Sequence, residues 1–283
     1  MKSQFNIQNF HQFTIAVRLS KIYIAALVLL FGVGAEAFAQ ASNYVFNWQS
    51  ESAHTTGFTS SSNISPQTNG KIAFAVVPSN IYSMNSDGTM RTRITSYTSD
   101  DNAGSPSWSP DGSKIAFACD NGICIINANG TGLTAIPNTL NDDENPSWSP
   151  DGNRIAFDRG YNIASIFFSR IFIINVNGSN LIQLTTGHND YTPSWFPDGT
   201  RLLFSRNTAG PFTRALFTIN VSGGSPSLLL GGGDYFDPSL SSDGSKIAFA
   251  GSINNIIEIY TVNANGSGVT QITNNGPSGA RRK

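Results

Sequence analysis

The chain has 283 residues, with hydrophobic types at 39 %, aromatic types at 11 % and charged types at only 12 %, and 17 Lys+Arg against 18 Asp+Glu. This globular composition carries about half the usual share of charge, which excludes a disordered tail protein, a coiled coil and a collagen. Basic residues cluster only at Arg281, Arg282 and Lys283, so the footprint of a nucleic-acid binder is missing.

Residues 1–21 are polar with Lys2, Arg18 and Lys21 as their charges, and an apolar run of 13 residues follows from Ile22 to Gly34. Ala37-Phe38-Ala39 then supplies the small-x-small pattern that a signal peptidase accepts, so 1–39 is expected to be an export signal cut before Gln40. The alternative, a retained anchor, needs about 20 apolar residues. Cleavage leaves 14 basic against 17 acidic groups in a mature chain of 244 residues, placed in a periplasmic or secreted setting. No later segment approaches spanning length, so no membrane insertion is expected once the signal is gone.

Beyond an N-terminal stretch at 40–62, which holds Tyr44-Val45-Phe46-Asn47-Trp48, one unit recurs about every 40 to 50 residues. PSWSPDG stands at 106–112 and 146–152, PSWFPDG at 193–199 and PSLSSDG at 238–244, with a degraded NISPQTNG at 63–70. A second element follows each: KIAFA at 71–75, KIAFA at 114–118, RIAFD at 154–158, RLLFS at 201–205 and KIAFA at 246–250. The third elements are IYSMN at 81–85, ICIIN at 123–127, IFIIN at 171–175, LFTIN at 216–220 and IYTVN at 259–263. RTRIT at 91–95, LTAIP at 133–137, LIQLT at 181–185, PSLLL at 226–230 and VTQIT at 269–273 close the units.

These short segments are rich in β-branched and aromatic types and bounded by Gly, Asn, Asp or Pro, which predicts strands. Eleven Asn-Gly or Asp-Gly pairs supply the positive φ of tight turns, and Asp111, Asp151, Asp198 and Asp243 read as turn residues in preference to catalytic acids. Copied four-stranded antiparallel units predict an all-β β-propeller over 63–283, with Trp108, Trp148 and Trp195 packed between blades.

The PSWSPDG–KIAF–NxNG–LTxLT pattern across 63–273 resembles the WD40-like repeat of TolB-type propellers. The resemblance implies six blades with the PSW segment innermost, and interaction with other envelope proteins. Five repeats are recognisable here, which leaves a five-bladed ring, an incomplete six-bladed ring or a truncated product; the incomplete six-bladed TolB-like ring is expected, because nothing in the sequence looks like a closing strand.

In such blades the PDG and NG turns share one face. The other face receives the irregular stretches 76–80, 159–170, 206–215 and 251–258, and the acidic connections before each inner strand. It is the expected binding face. Its candidate residues are Asp101, Asp143, Asp190, Asp234 and Asp237, with Asp100, Asp142 and Glu144 beside them, as a negative collar or as solvated turn residues. Phe167, Phe168 and Phe212 join them, as an exposed contact patch or as a continuation of the third strand.

Cys119 and Cys124 flank a predicted turn at Asn121-Gly122, which would set them directly opposite one another with Cα atoms about 4.5 Å apart, in disulfide range. Two free thiols packed between blades are the alternative. No GxSxG, HExxH, P-loop or GxGxxG occurs, and His54 and His188 are the mature chain's two histidines, so neither a catalytic residue, a cofactor nor a metal site is expected. Two functions remain: a non-enzymatic extracytoplasmic module engaging a protein through its loop face, or a carbohydrate-active lyase or hydrolase using paired acids at the channel mouth.

Overall fold

The computed structural model describes residues 70–76, 80–97, 103–163, 166–208, 213–253 and 256–274. The export signal, the 40–62 stretch, the boundary at 63 and the C-terminal basic cluster lie outside them. The described residues are strands and turns with no helix, so no helix is long and apolar enough to cross a membrane.

Five antiparallel sheets follow one another along the chain. The first contains β1 (Lys71–Val76), β2 (Asn80–Asn85) and β3 (Thr92–Arg93). The second contains β4 (Gly104–Trp108), β5 (Lys114–Cys119), β6 (Gly122–Asn127) and β7 (Thr134–Ala135). The third contains β8 (Asp143–Trp148), β9 (Arg154–Ile163), β10 (Ile166–Asn175) and β11 (Ile182–Gln183). The fourth contains β12 (Asp190–Trp195), β13 (Arg201–Asn207), β14 (Arg214–Asn220) and β15 (Ser227–Leu230). The fifth contains β16 (Asp234–Leu240), β17 (Lys246–Ile253), β18 (Ile256–Asn263) and β19 (Thr270–Gln271). Within each sheet the strands pair in chain order, and β4, β8, β12 and β16 pack from sheet to sheet, which makes them the inner strands of a β-propeller.

One packing rule makes the radial order. Ala73, Ile81 and Ile94 of the first blade pack with Trp108, Ile115 and Phe117 of the second. Ala116, Ile123 and Ile136 of the second meet Trp148, Ile155 and Phe157 of the third. Ala156 and Ile171 meet Trp195, Leu202 and Phe204 of the fourth, whose Leu203 and Leu216 meet Leu240, Ile247 and Phe249 of the fifth. Alternation along a strand therefore sends successive residues to opposite neighbours. Burying each of these phenylalanines contributes roughly 1.5–3 kcal/mol. Trp195 adds a hydrogen bond, its indole Nε1 donating to Ser147 O of the preceding inner strand at 3.0 Å.

The PDG turns are built by their own side chains. Asp111 Oδ1 accepts from Ser109 Oγ at 2.6 Å and from Ser113 N at 3.0 Å, which holds its carboxyl below the usual range. Asp243 repeats the arrangement with Ser241 and Ser245 and is lowered to about 2. Asp151 and Asp198 are also lowered: burial opposes this, and hydrogen bonds outweigh it, from Ser149 and Asn153 in one turn and from Thr200 in the other.

Three sequence expectations change. The five-residue fourth elements shrink to two-residue strands in four of the blades, because an outer strand has one partner and a solvated edge. The stretch expected as a loop at 159–170 is strand at 159–163 and 166–170, where β9 and β10 pair from Arg170↔Arg159 to Ile166↔Ile163. The Cys119 hairpin also closes one residue earlier than expected. Cys119 pairs with Gly122 and Phe117 with Cys124, so Asp120-Asn121 form the turn and the cysteines lie diagonally, Cα atoms 5.9 Å apart, joined by a disulfide. The blade fixes this register: Phe117↔Cys124 is equivalent to Phe157↔Phe172 and Phe204↔Phe217. Gly122 fits because a Cβ there would lie 2.4 Å from Thr139 Oγ1.

Candidate functional site

Antiparallel pairing brings the start of each inner strand, the end of the second strand and the start of the third to one face. In the third blade Asp143 lies opposite Arg159, and Arg159 opposite Arg170. Repetition turns this into a row of clamps. Arg159 Nε donates to Asp143 Oδ1 at 2.6 Å and Nη2 to Oδ2 at 2.8 Å, and Arg206 binds Asp190 in the same two-pronged way at 2.6 and 2.9 Å. Both carboxylates are fully buried. Burial pushes Asp143 up, while Arg159 and the Leu140 N–H pull against it. Each guanidinium also lies over two rings, Arg159 over Phe157 and Phe172, and Arg206 over Phe204 and Phe217. Arg214 Nε reaches Asp234 Oδ1 at 3.0 Å, with its guanidinium 4.4 Å from the Phe236 ring centre. Bidentate, stacked pairs of this kind fix strand ends more than they attract ligands.

Toward the centre each inner strand carries a bulge. Ser105, Asn145, Thr192 and Asp237, each just before a proline, have φ between 50 and 52°. These positions start a polar belt. Ser105 Oγ donates to Asn145 Oδ1 at 2.9 Å, and Asn145 Nδ2 donates to Asp158 Oδ1 at 2.9 Å. Thr192 N of the next blade donates to the same oxygen at 2.9 Å. Asp158 is 4 % exposed, and burial, followed by the charges of Glu144 and Asp143, raises it to about 8. Tyr191 nearby is pushed up to about 12, first by burial and then by Asp158. Asp158 was missed in reading the sequence, although the signal was there: Ala118, Ser205 and Ala250 occupy its position in other repeats.

The structure thus separates the expected site residues. Asp143 and Asp190 lie buried under arginines, Asp234 is half-buried on Arg214, and Asp237 sits in a bulge at 9 % exposure. Asp142 and Glu144 remain exposed. Phe167 and Phe168 stand on β10, which continues the third strand outward; Phe167 is 49 % exposed, and Phe168 stacks on Tyr161 at 6.1 Å. Arg170 lies over both rings of that stack and donates through Nη1 to Ser169 O, His188 O and Asn189 Oδ1. Asp100, Asp101 and Phe212 lie outside the described residues. Among the described residues no group of three or more His, Cys, Asp or Glu could hold a metal ion.

No family profile matches the chain, and no curated protein is similar to it in sequence. Solved structures are similar in fold. A TolB from Agrobacterium tumefaciens superposes with a TM-score of 0.61 at 18 % identity, covering 71 % of this chain and 76 % of that one. TolB from Acinetobacter baumannii gives 0.60 at 21 % identity over 72 % of this chain, which spans about half, 53 %, of its length. A chain of a nidogen/laminin complex gives 0.55 at 15 % identity, covering 71 % and 74 %. The fold is a TolB-like β-propeller.

Proposed function

We propose that this propeller is a non-enzymatic, extracytoplasmic binding module that engages a protein partner through its loop face, with the β9–β10 hairpin as the principal contact. The observation that carries this reading is the hairpin itself. Its strands run ten residues each where β5 and β6 run six, and it presents Phe167 at 49 % exposure on a stem stiffened by the Tyr161–Phe168 stack and Arg170. An exposed aromatic on a rigid support loses little conformational entropy on docking, which is how hot spots form. The commitment of Asp143, Asp190 and Asp234 to arginines supports a binder over a pair of acids open to substrate. The apolar N-terminal run with Ala37-Phe38-Ala39 and the Cys119–Cys124 bond support an oxidising, extracytoplasmic setting. The partner belongs to the cell envelope or the extracellular space.

The test is affinity capture from envelope extract with the mature protein and its Phe167→Ser variant. Loss of a recovered protein with the variant, at unchanged thermal midpoint, supports the reading; equal recovery by both removes the hairpin from it.

A further inference from the structure

Each seam between blades follows the same rule, and the rule leaves two faces over. The fifth blade carries the outgoing set as Ala248, Ile259 and Ile272, equivalent to Ala73, Ile81 and Ile94 of the first blade. Ile259 is covered within its own blade by Phe236 and Ala250. Ile272 is 58 % exposed, whereas Ile94 and Ile136 at the same repeat position are 6 % and 4 % exposed. At the other end the first blade carries the receiving positions as Ile72, Tyr82 and Met84, all half-buried. Ile115, Ile155, Leu202 and Ile247, equivalent to Ile72, are fully buried, and Ile126, Ile174, Ile219 and Val262, equivalent to Met84, are at most 3 % exposed. Among the described residues, no strand of the fifth blade packs on the first as consecutive blades pack on each other.

We propose that residues 40–69 of this chain occupy that seam, setting Tyr44-Val45-Phe46-Asn47-Trp48 between Ile272 of the last blade and Ile72, Tyr82 and Met84 of the first. Three features select this occupant. The segment enters the first blade at Gly70, so it is tethered beside the seam and its effective concentration there is high. In the other four blades five residues separate the end of the inner strand from the start of the second strand, which places the first blade's counterpart within 40–69. The segment has the apolar material for the seam, in Tyr44, Val45, Phe46, Trp48, Phe58 and Ile64. Placement there removes Ile272 from water and covers the edges that terminal blades otherwise expose.

Disulfide trapping in the mature protein tests this, with the native Cys119–Cys124 bond left in place. Phe46→Cys with Ile272→Cys, oxidised in dilute solution, is expected to give a link within one chain, identified by peptide mapping. Phe46→Cys with Leu133→Cys, on the outer edge of the second blade, is expected to give none. A link between two chains would assign the seam to a second copy, and equal linking by both pairs would reduce it to random collision; either overturns the proposal, as does no link. Amide exchange on the unsubstituted mature protein gives an independent reading. Residues 44–48 are expected to exchange at least about tenfold more slowly than a free peptide, and free-peptide rates there would overturn the proposal even if the cysteine variants failed to fold.

Discussion

Asp158 faces Glu144 across the β8–β9 ladder, and of these two carboxyls the buried one holds its proton to about pH 8. The ordinary carboxyl titrates near 4, so folding here favours the protonated acid. The stability that results is fully present below about pH 4 and is lost as pH rises through about 8. Asp143, also raised by burial, acts in the same sense, while the lowered turn aspartates lose stability only in acid. Between pH 5 and 8 the wild-type urea midpoint should therefore fall. In Asp158→Asn, whose amide cannot ionise, the midpoint should fall much less over that window, with the raised Asp143 carboxyl as the remaining contributor. Parallel slopes for both proteins would remove Asp158 as the cause.

The clamps differ in burial and so should differ in worth. Arg206→Met leaves Asp190 buried with its ion-pair partner removed and should cost about 3–5 kcal/mol, much of it recovered by adding Asp190→Leu. Arg201→Met breaks an exposed pair with Asp198 at 3.4 Å and should cost at most about 1 kcal/mol through that pair. Chemical denaturation of the four proteins separates the two cases.

Two turn glycines make a similar contrast. Gly178 has φ +85° and a Cβ there would lie 2.7 Å from Pro137 Cβ on the neighbouring blade; Gly88 has φ +83° with nothing within 4 Å. Gly88→Ala should cost about 1 kcal/mol for the left-handed backbone. Gly178→Ala pays the same strain and must also push two blades apart, so its thermal midpoint should fall further. Equal losses would show that the blades give way there.

The Cys119–Cys124 bond closes a short loop with a sequence separation of 5, worth about 2 kcal/mol on the chain-entropy account. Titration of the unfolded, unreduced protein should find no free thiol. A double Cys→Ala variant should keep the fold and lose about that much stability, because both side chains already sit in the seam with Trp108 and Ile115.

Much of the architecture was legible because a propeller writes its rule once per blade. PSW, KIAF and the NxNG turns report strand, alternation and reversal through local chemistry, and the first three elements of the second blade lie where periodicity put them. Legibility stopped where a partner strand decided the outcome. Asn121-Gly122 has the composition of a two-residue turn, but the Phe117↔Cys124 pairing required by the seam moved the turn to Asp120-Asn121. The stretch 159–170 looked irregular because Gly160 and Asn162 interrupt it, and cross-strand pairing carries it as hairpin regardless.

The loop face shows the same division more sharply. Sequence alone determined the repeat, the turn carboxylates and the concentration of acids before the inner strands, since each depends on neighbours within a few residues. Tertiary structure decided which acids are spent on arginines, which one keeps a proton, and that Phe167 stands in water. Those outcomes depend on groups roughly a strand or a blade away in the chain, whose distance no local pattern records.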